Sequence, residues 1–508
     1  MRMRRLEAAF EAAALLLACL CGSAPADVLV MKDGQILDEV KLDVRDESVI
    51  VSLQHGDIEV ALDLVQECLV EGVSSYIPRT AEEKQKYEKG LVPFEGHWVT
   101  EKKRKKEMSK RIAERRKAIE EMRAHSEWGN RYKKKSKRFD FNYTIPQHVF
   151  EELEKQLDAY FSVFAKDWKV NIKKHGKISG RLTMNIYGNR KEYIRTAGSG
   201  RFTLGYFKFI GEYDLNIYYD ALDPEGTRDV MFHEVGHYLH KLIDQGFRYP
   251  HWPGESLAEY YGAGYWDEDK EKLVIGLIQE GRLTEIKSDI SRDEWIGLEE
   301  LILKDRYEDY TWGWSLVHFL MNDERYASKF KKFFLGLATA KDIDRTRQSW
   351  GAIELKVCPS AEVYRAFKDY LGLKTDEDVK QLEREWHTYV DHELQLETAS
   401  GLEKAAVKAW RSEGRMIRAK RLFREAIDSG STNAQTYYHF GTLLYGEGEK
   451  AEAAKMLERA IELSPLHAEY YWSLAYAIRK KDKERSKKLC LMAKELDPDV
   501  RQKSALDG

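Results

Sequence analysis

The sequence predicts a multidomain chain: a small β-barrel, a mixed α+β domain and an all-α repeat array. Three observations carry this. At 508 residues the chain is too long for one core, and its length suggests about three or four domains. Short apolar runs separated by turn residues fill 27–72, whereas the pattern from Thr227 onward is mainly helical. Beyond residue 404, Ala426, Ala460 and Ala493 recur at near-constant spacing.

Residues 1–26 read as an export signal. Met1-Arg2-Met3-Arg4-Arg5 is a basic start, Ala12 to Leu20 an apolar core too short to span a bilayer, and Ala24-Pro25-Ala26 a small-x-small cleavage site. The mature start is placed near Asp27, in the periplasm or outside the cell. Glu7 and Glu11 are unusual in such a segment. A lipoprotein signal ending at Cys19 and an uncleaved anchor are the alternatives, and only these bring membrane contact. The net charge of −3 offers no global field for nucleic acid, so no nucleic-acid partner is expected. Cys68, Cys358 and Cys490 lie far apart without CxxC spacing, so neither a cysteine zinc site nor a disulfide framework is indicated.

Residues 27–75 form the first domain. Val28-Leu29-Val30-Met31, Val49-Ile50-Val51-Ser52-Leu53 and Ile58-Glu59-Val60, each next to a turn, predict four or five small strands in an SH3-like barrel. Residues 76–138 are a charged helical linker. Met108, Ile112, Ile119 and Met122 draw one narrow apolar stripe along it, and Lys133 to Arg138 add a basic cluster. The expectation there is a solvated helix and connector, with contact to an anionic surface as the rival reading.

Residues 139–400 read as the α+β domain. Strands are expected at Phe139 to Tyr143, Leu182 to Tyr187 and Leu215 to Tyr219, and an amphipathic helix from Gln147 to Trp168. Residues 404–500 hold the repeats. Tyr437, Phe440-Gly441, Leu444-Tyr445, Ala453, Leu457, Ala460 and Pro465 follow the small-and-large pattern of a tetratricopeptide repeat. Two good copies follow a degenerate one, and the array is expected to recruit a protein or peptide partner.

The chemistry centres on Met231-Phe232-His233-Glu234-Val235-Gly236-His237. Asp223-Pro224 offers an N-cap and a first-turn proline, so the motif sits on a helix. His233 and His237 are one turn apart on one face and can grip a single metal ion. Glu234, on the adjacent edge, can take a proton from a metal-bound water. A third protein ligand is needed. Glu255 and Glu259 lie four apart in Pro253-Gly254-Glu255-Ser256-Leu257-Ala258-Glu259-Tyr260, at a distance that allows a second helix to fold back. Spacing alone lets either bind while the other hydrogen-bonds a ligand histidine.

HExxH followed by this E-x-x-A-E-Y helix resembles the gluzincin zinc peptidases, and Pro250-x-Trp252-x-x-Glu255-x-Leu257-Ala258-Glu259-Tyr260 resembles the bacterial peptidase MA-like proteins. The resemblance covers about residues 139–400. It implies one zinc ion per chain on His233, His237 and Glu255, with Glu259 bonded to a ligand histidine. The family commonly has Gly where this chain has Ser256, which predicts slightly less room beside the metal. It also implies a tyrosine donating to the oxyanion. Asp309-Tyr310-Thr311-Trp312-Gly313-Trp314 makes Tyr310 the candidate and Tyr307 the rival. His240 and His251 are expected to be peripheral. In gluzincins the strand before the metal helix edges the cleft, which points to Leu215 to Tyr219 as a peptide-binding edge; the other reading of that segment is an ordinary core strand.

The expected activity is hydrolysis of a peptide bond in a peptide or protein substrate. The rivals are a scaffold whose metal domain is inactive or structural, and a zinc amidase acting on cell-wall peptides. An intact Glu234 argues against the scaffold, because a structural site does not need it.

Overall fold

The computed structural model describes residues 27–71, 78–169, 181–198, 203–208, 213–221, 223–267, 270–306, 309–351, 353–395, 398–411 and 414–500. The expected export signal and Tyr307 lie outside these residues. The described residues form two compact units. One joins the segment up to Glu121 with the segment from Thr432, and the other is Met122–Ser431.

The first unit begins with β1 (Asp27–Met31), β2 (Ile36–Val44), β3 (Ser48–Leu53), β4 (Gly56–Ala61) and β5 (Val65–Leu69). They form an antiparallel sheet of order β4-β3-β2-β1-β5. The expected strands are there, but no pairing among the described residues closes β4 onto β5. A short helix, α1 (Ala81–Glu88), and a hairpin of β6 (Leu91–Phe94) and β7 (His97–Thr100) lead to α2 (Glu101–Ala124).

The expected solvated helix, α2, instead packs against the sheet. Met108, Ile112 and Ile119 bury against Val28, Val30 and Leu69. Its basic flanks are anchored as well. Arg116 Nε donates to Asp38 at 2.9 Å, Arg115 pairs with Glu67, and the Arg104 guanidinium reaches the Val70 carbonyl. A stripe this narrow buries only where a matching apolar strip faces it, and alternate residues of β1 supply that strip.

The second unit holds a sheet of order β11-β12-β10-β9-β8. Its strands are β8 (Tyr132–Lys135), β9 (Phe139–Tyr143), β10 (Leu182–Tyr187), β11 (Gly205–Lys208) and β12 (Asp214–Tyr218). β9, β10 and β12 are parallel, and β8 and β11 are antiparallel edges. The basic cluster is therefore partly an edge strand. Tyr132 stacks on Tyr143 at 5.0 Å, Lys134 pairs with Glu154 at 2.6 Å, and lysines along an edge discourage pairing with other chains.

Helix α3 (Gln147–Asp167) buries Phe150, Leu153, Leu157, Phe161 and Phe164 in the core of this unit. After α4 (Arg190–Ala197) come the two helices of the site, α5 (Pro224–Ile243) and α6 (His251–Gly262). The hairpin β13 (Gly264–Asp267) and β14 (Lys272–Ile275) leads to α7 (Glu280–Ile290), α8 (Leu298–Lys304), α9 (Tyr310–Asn322) and α10 (Ala327–Thr339). A second hairpin, β15 (Thr346–Trp350) and β16 (Ile353–Val357), precedes α11 (Ser360–Leu371) and α12 (Asp376–Thr388).

The C-terminal region is a helical array that divides between the units. The pair α13 (Ala399–Arg411) and α14 (Met416–Asp428) belongs to the second, where Lys408 of α13 lies 3.3 Å from Glu285 of α7. Helices α15 (Ala434–Gly446), α16 (Lys450–Leu463), α17 (Ala468–Ile478) and α18 (Lys483–Leu496) belong to the first. Within that unit Leu29, Met31, Val49 and Val51 share a core with Trp472, Leu489 and Met492. This accounts for the unbroken apolar run of β1. Val28 and Val30 face α2, Leu29 and Met31 face the C-terminal helices, and both faces are covered. Among the described residues no helix is long and apolar enough to cross a membrane.

Candidate metal centre

Helix α5 starts as its sequence dictates. The Asp223 carboxylate accepts the Gly226 N–H at 2.9 Å and Pro224 opens the first turn. Met231, Phe232, Val235 and Leu239 are fully buried on the core face. His233, Glu234 and His237 are left facing a cleft.

Helix α6 is capped from a distance. Asp305 accepts the N–H groups of Trp252 at 2.8 Å and His251 at 3.0 Å, satisfying donors that the helix cannot satisfy itself. Trp252 and Leu257 anchor the opposite face in the core. Gly236 sits where the two helices pack closely: a Cβ there would lie 3.2 Å from the Tyr160 hydroxyl and 3.4 Å from Ala258. This packing aims Glu255, in the first turn of α6, at the histidine pair.

Three donor atoms converge. His233 Nε2 and His237 Nε2 are 3.2 Å apart, and Glu255 Oε2 lies 3.4 Å from the first and 3.3 Å from the second. Tetrahedral bonds of about 2.0–2.1 Å place ligand atoms about 3.3 Å apart. The triangle therefore fits three corners of a four-coordinate site, and two imidazoles with a carboxylate are a donor set suited to a borderline divalent ion.

Glu259 lies one turn deeper and is buried. Its Oε1 is 3.5 Å from His233 Nδ1, the nitrogen facing away from the triangle. Arg282 of α7 grips the same oxygen through two N–H groups, at 2.7 and 3.1 Å. The two glutamates that spacing could not rank are thus separated by geometry. Glu255 meets the converging nitrogens and Glu259 meets the back of one ring.

The electrostatics follow from burial against these charges. Burial lowers the His233 pKa, but Glu259, the Glu255 contact and Glu234 outweigh it and raise it to about 9. Burial favours a protonated Glu255, yet His237 and His233 hold its pKa far below the usual carboxylate range. His240 is pushed well below its ordinary value by burial, then by the His237 charge, and so stays neutral beside the site.

The cleft encloses about 360 Å³. Thr203, Gly205, Tyr206 and Phe207 line it together with His233, Glu234, His237 and Glu255, and Phe247 to His251 also contribute. Here the edge-strand expectation needs correction. β12, the expected edge, lies between β10 and β11, and the edge beside the cleft is β11. Gly205 permits this position, since a Cβ would come within 2.7 Å of Val230 and 2.8 Å of Ile217.

Two further expectations meet a different geometry. Tyr310 opens α9 but is not among the residues lining this cleft; its ring lies 4.4 Å from the Arg282 guanidinium. It is thus linked to the metal triangle through Arg282, Glu259 and His233 in turn. Ser256 is fully buried and faces Gly313 of α9, where a Cβ would collide with its hydroxyl, so it takes its room from that contact.

The sequence reading missed Arg282, Arg248 and β11. Arg282 comes from a helix with no motif. Arg248 stands in the 17-residue connection between His237 and Glu255, the one signal that could have marked it.

Comparison with known proteins adds no assignment: no family model matches the chain, and no curated protein matches it.

Proposed function

We propose that this chain is an exported zinc metallopeptidase of gluzincin type, with zinc on His233, His237 and Glu255. The observation that carries the proposal is the convergence of His233 Nε2, His237 Nε2 and Glu255 Oε2 at tetrahedral spacing in a cleft that also holds Glu234. A zinc ion bound there supplies Lewis acidity, lowering the pKa of a coordinated water toward neutrality and polarising a substrate carbonyl.

The chain's own residues do the rest. Glu234 accepts the proton of the attacking water and returns it to the leaving amine. The Glu259 carboxylate faces His233 Nδ1 across 3.5 Å, which orients the ring and turns Nε2 toward the triangle. Arg282 holds Glu259 in place through two N–H groups. The edge strand β11 presents backbone groups along the cleft, where an extended peptide can pair as an added strand. Tyr310 is assigned to the support of Arg282 rather than to the oxyanion. The first unit, with its SH3-like sheet and tetratricopeptide-like helices, is proposed to recruit protein or peptide partners.

The test is hydrolysis of a quenched peptide library by purified, zinc-loaded chain, with the Glu234→Gln variant alongside. Cleavage by wild type and its loss in the variant are expected. Equal cleavage by both would assign the activity to another site or another protein.

A further inference from the structure

We propose that Arg248 makes this cleft selective for peptides carrying a carboxylate next to the scissile bond, either an acidic side chain or the chain's own C-terminus. The inference rests on the peptidase reading and specifies its substrate class.

Arg248 lines the same cleft as His233, Glu234, His237 and Glu255. Its guanidinium lies over the Trp350 ring at 3.9 Å. Its backbone is pinned, because the Arg248 N–H donates to the Lys356 carbonyl at 2.9 Å. The neighbouring Phe247 forms a bridge to Lys356 and is itself buried. The side chain is therefore presented from a fixed base against a flat aromatic face. Stacking there leaves the N–H edge of the guanidinium for a planar acceptor.

The charges nearby point to what that acceptor is. Among the described residues no carboxylate forms an ion pair with Arg248. Asp305, whose charge acts on it together with that of Glu255, is engaged by the His251 and Trp252 N–H groups. Among the described residues the acidic side chains lining the cleft are Glu234, assigned to the proton transfer, and Glu255, which faces the two histidines. With a divalent ion bound, those two carboxylates balance it. Lys241 and Arg248, both in the cleft wall, then make the cavity cationic. Lys241 is occupied in donating to the Phe247 carbonyl at 2.8 Å, so Arg248 is the group positioned to receive a carboxylate. A half-buried guanidinium without an anion is costly, and a bidentate substrate carboxylate relieves that cost.

The experiment compares three peptides of one sequence: a free acid, its C-terminal amide, and an amide with Glu in place of Gln beside the scissile position. Their affinities for full-length, zinc-loaded Glu234→Gln chain are measured by calorimetry, and their cleavage by wild type is measured in parallel. Tighter binding of at least one carboxylate peptide than of the plain amide, by roughly 10-fold or more, is expected. The free-acid arm reports a C-terminal site and the Glu arm a side-chain site. Adding Arg248→Gln to the Glu234→Gln chain should collapse the preference, and Arg248→Lys should retain part of it. Equal affinity for all three peptides, or no binding of any, overturns the role of Arg248. So does a preference that survives Arg248→Gln. Binding preference without cleavage by wild type overturns the peptidase reading and leaves the carboxylate site standing.

Discussion

Glu259 Oε1 stands 3.5 Å from His233 Nδ1, on the side of the ring opposite the metal triangle. That relationship separates the two glutamates of α6 by consequence. Removing Glu255 leaves two histidines, so Glu255→Ala should be metal-free after mild chelation and should not refill with micromolar zinc. Removing Glu259 should weaken affinity by about 10–100-fold and leave a site that refills. Competitive zinc titration of the two variants measures this. The reverse ranking would make Glu259 the ligand.

Arg282 extends the same chain of contacts. Arg282→Met strands a buried carboxylate beside His233, so zinc affinity should fall in the direction of the Glu259→Ala variant. Tyr310→Phe keeps the ring beneath the guanidinium, so turnover should stay near wild type. A loss of roughly 10²–10³ with zinc retained would instead place the Tyr310 hydroxyl at the oxyanion. Steady-state rates with parallel metal analysis distinguish the two.

Glu234→Gln preserves shape and removes the base. Turnover should drop by about 10²–10⁴ while zinc content is unchanged. Loss of zinc from this variant would show that Glu234 helps hold the ion.

Asp229, one helical turn before His233 on α5, gives a stability test that needs no metal. Burial raises its pKa from 3.8 to about 6, outweighing the pull of Lys404 and Arg228. A folded pKa above the unfolded one means that the ionised carboxylate destabilises the fold. The penalty is full above pH 6 and disappears as pH falls below about 4. Asp229→Asn should therefore be more stable than wild type at pH 7, by about 1–3 kcal/mol, and equal to it near pH 3.5. Urea melts of metal-free protein at both pH values provide the comparison.

The parts of the site legible in the sequence are those set by local geometry. His233 and His237 share a helix face by spacing alone, and Asp223-Pro224 marks where that helix begins. The apolar run of β1 and the stripe on α2 were equally readable, but that they face each other was not, because no local rule names the partner of an apolar stripe. Arg282 illustrates the same limit. Its grip on Glu259 crosses from one helix to the next over 23 positions, and an arginine on an ordinary helix looks like a solvated one. β11 escaped for another reason: four residues beginning with a glycine carry too little alternation to read as a strand. The lysines of β8 masked a strand whose tyrosine faces Tyr143.

The central claim is that His233, His237 and Glu255 hold one zinc ion. Elemental analysis of full-length protein purified without an affinity tag tests it most directly. The account predicts one zinc per chain, lost with dipicolinate and regained on adding zinc. Protein that is metal-free as purified and takes up no added zinc would contradict it.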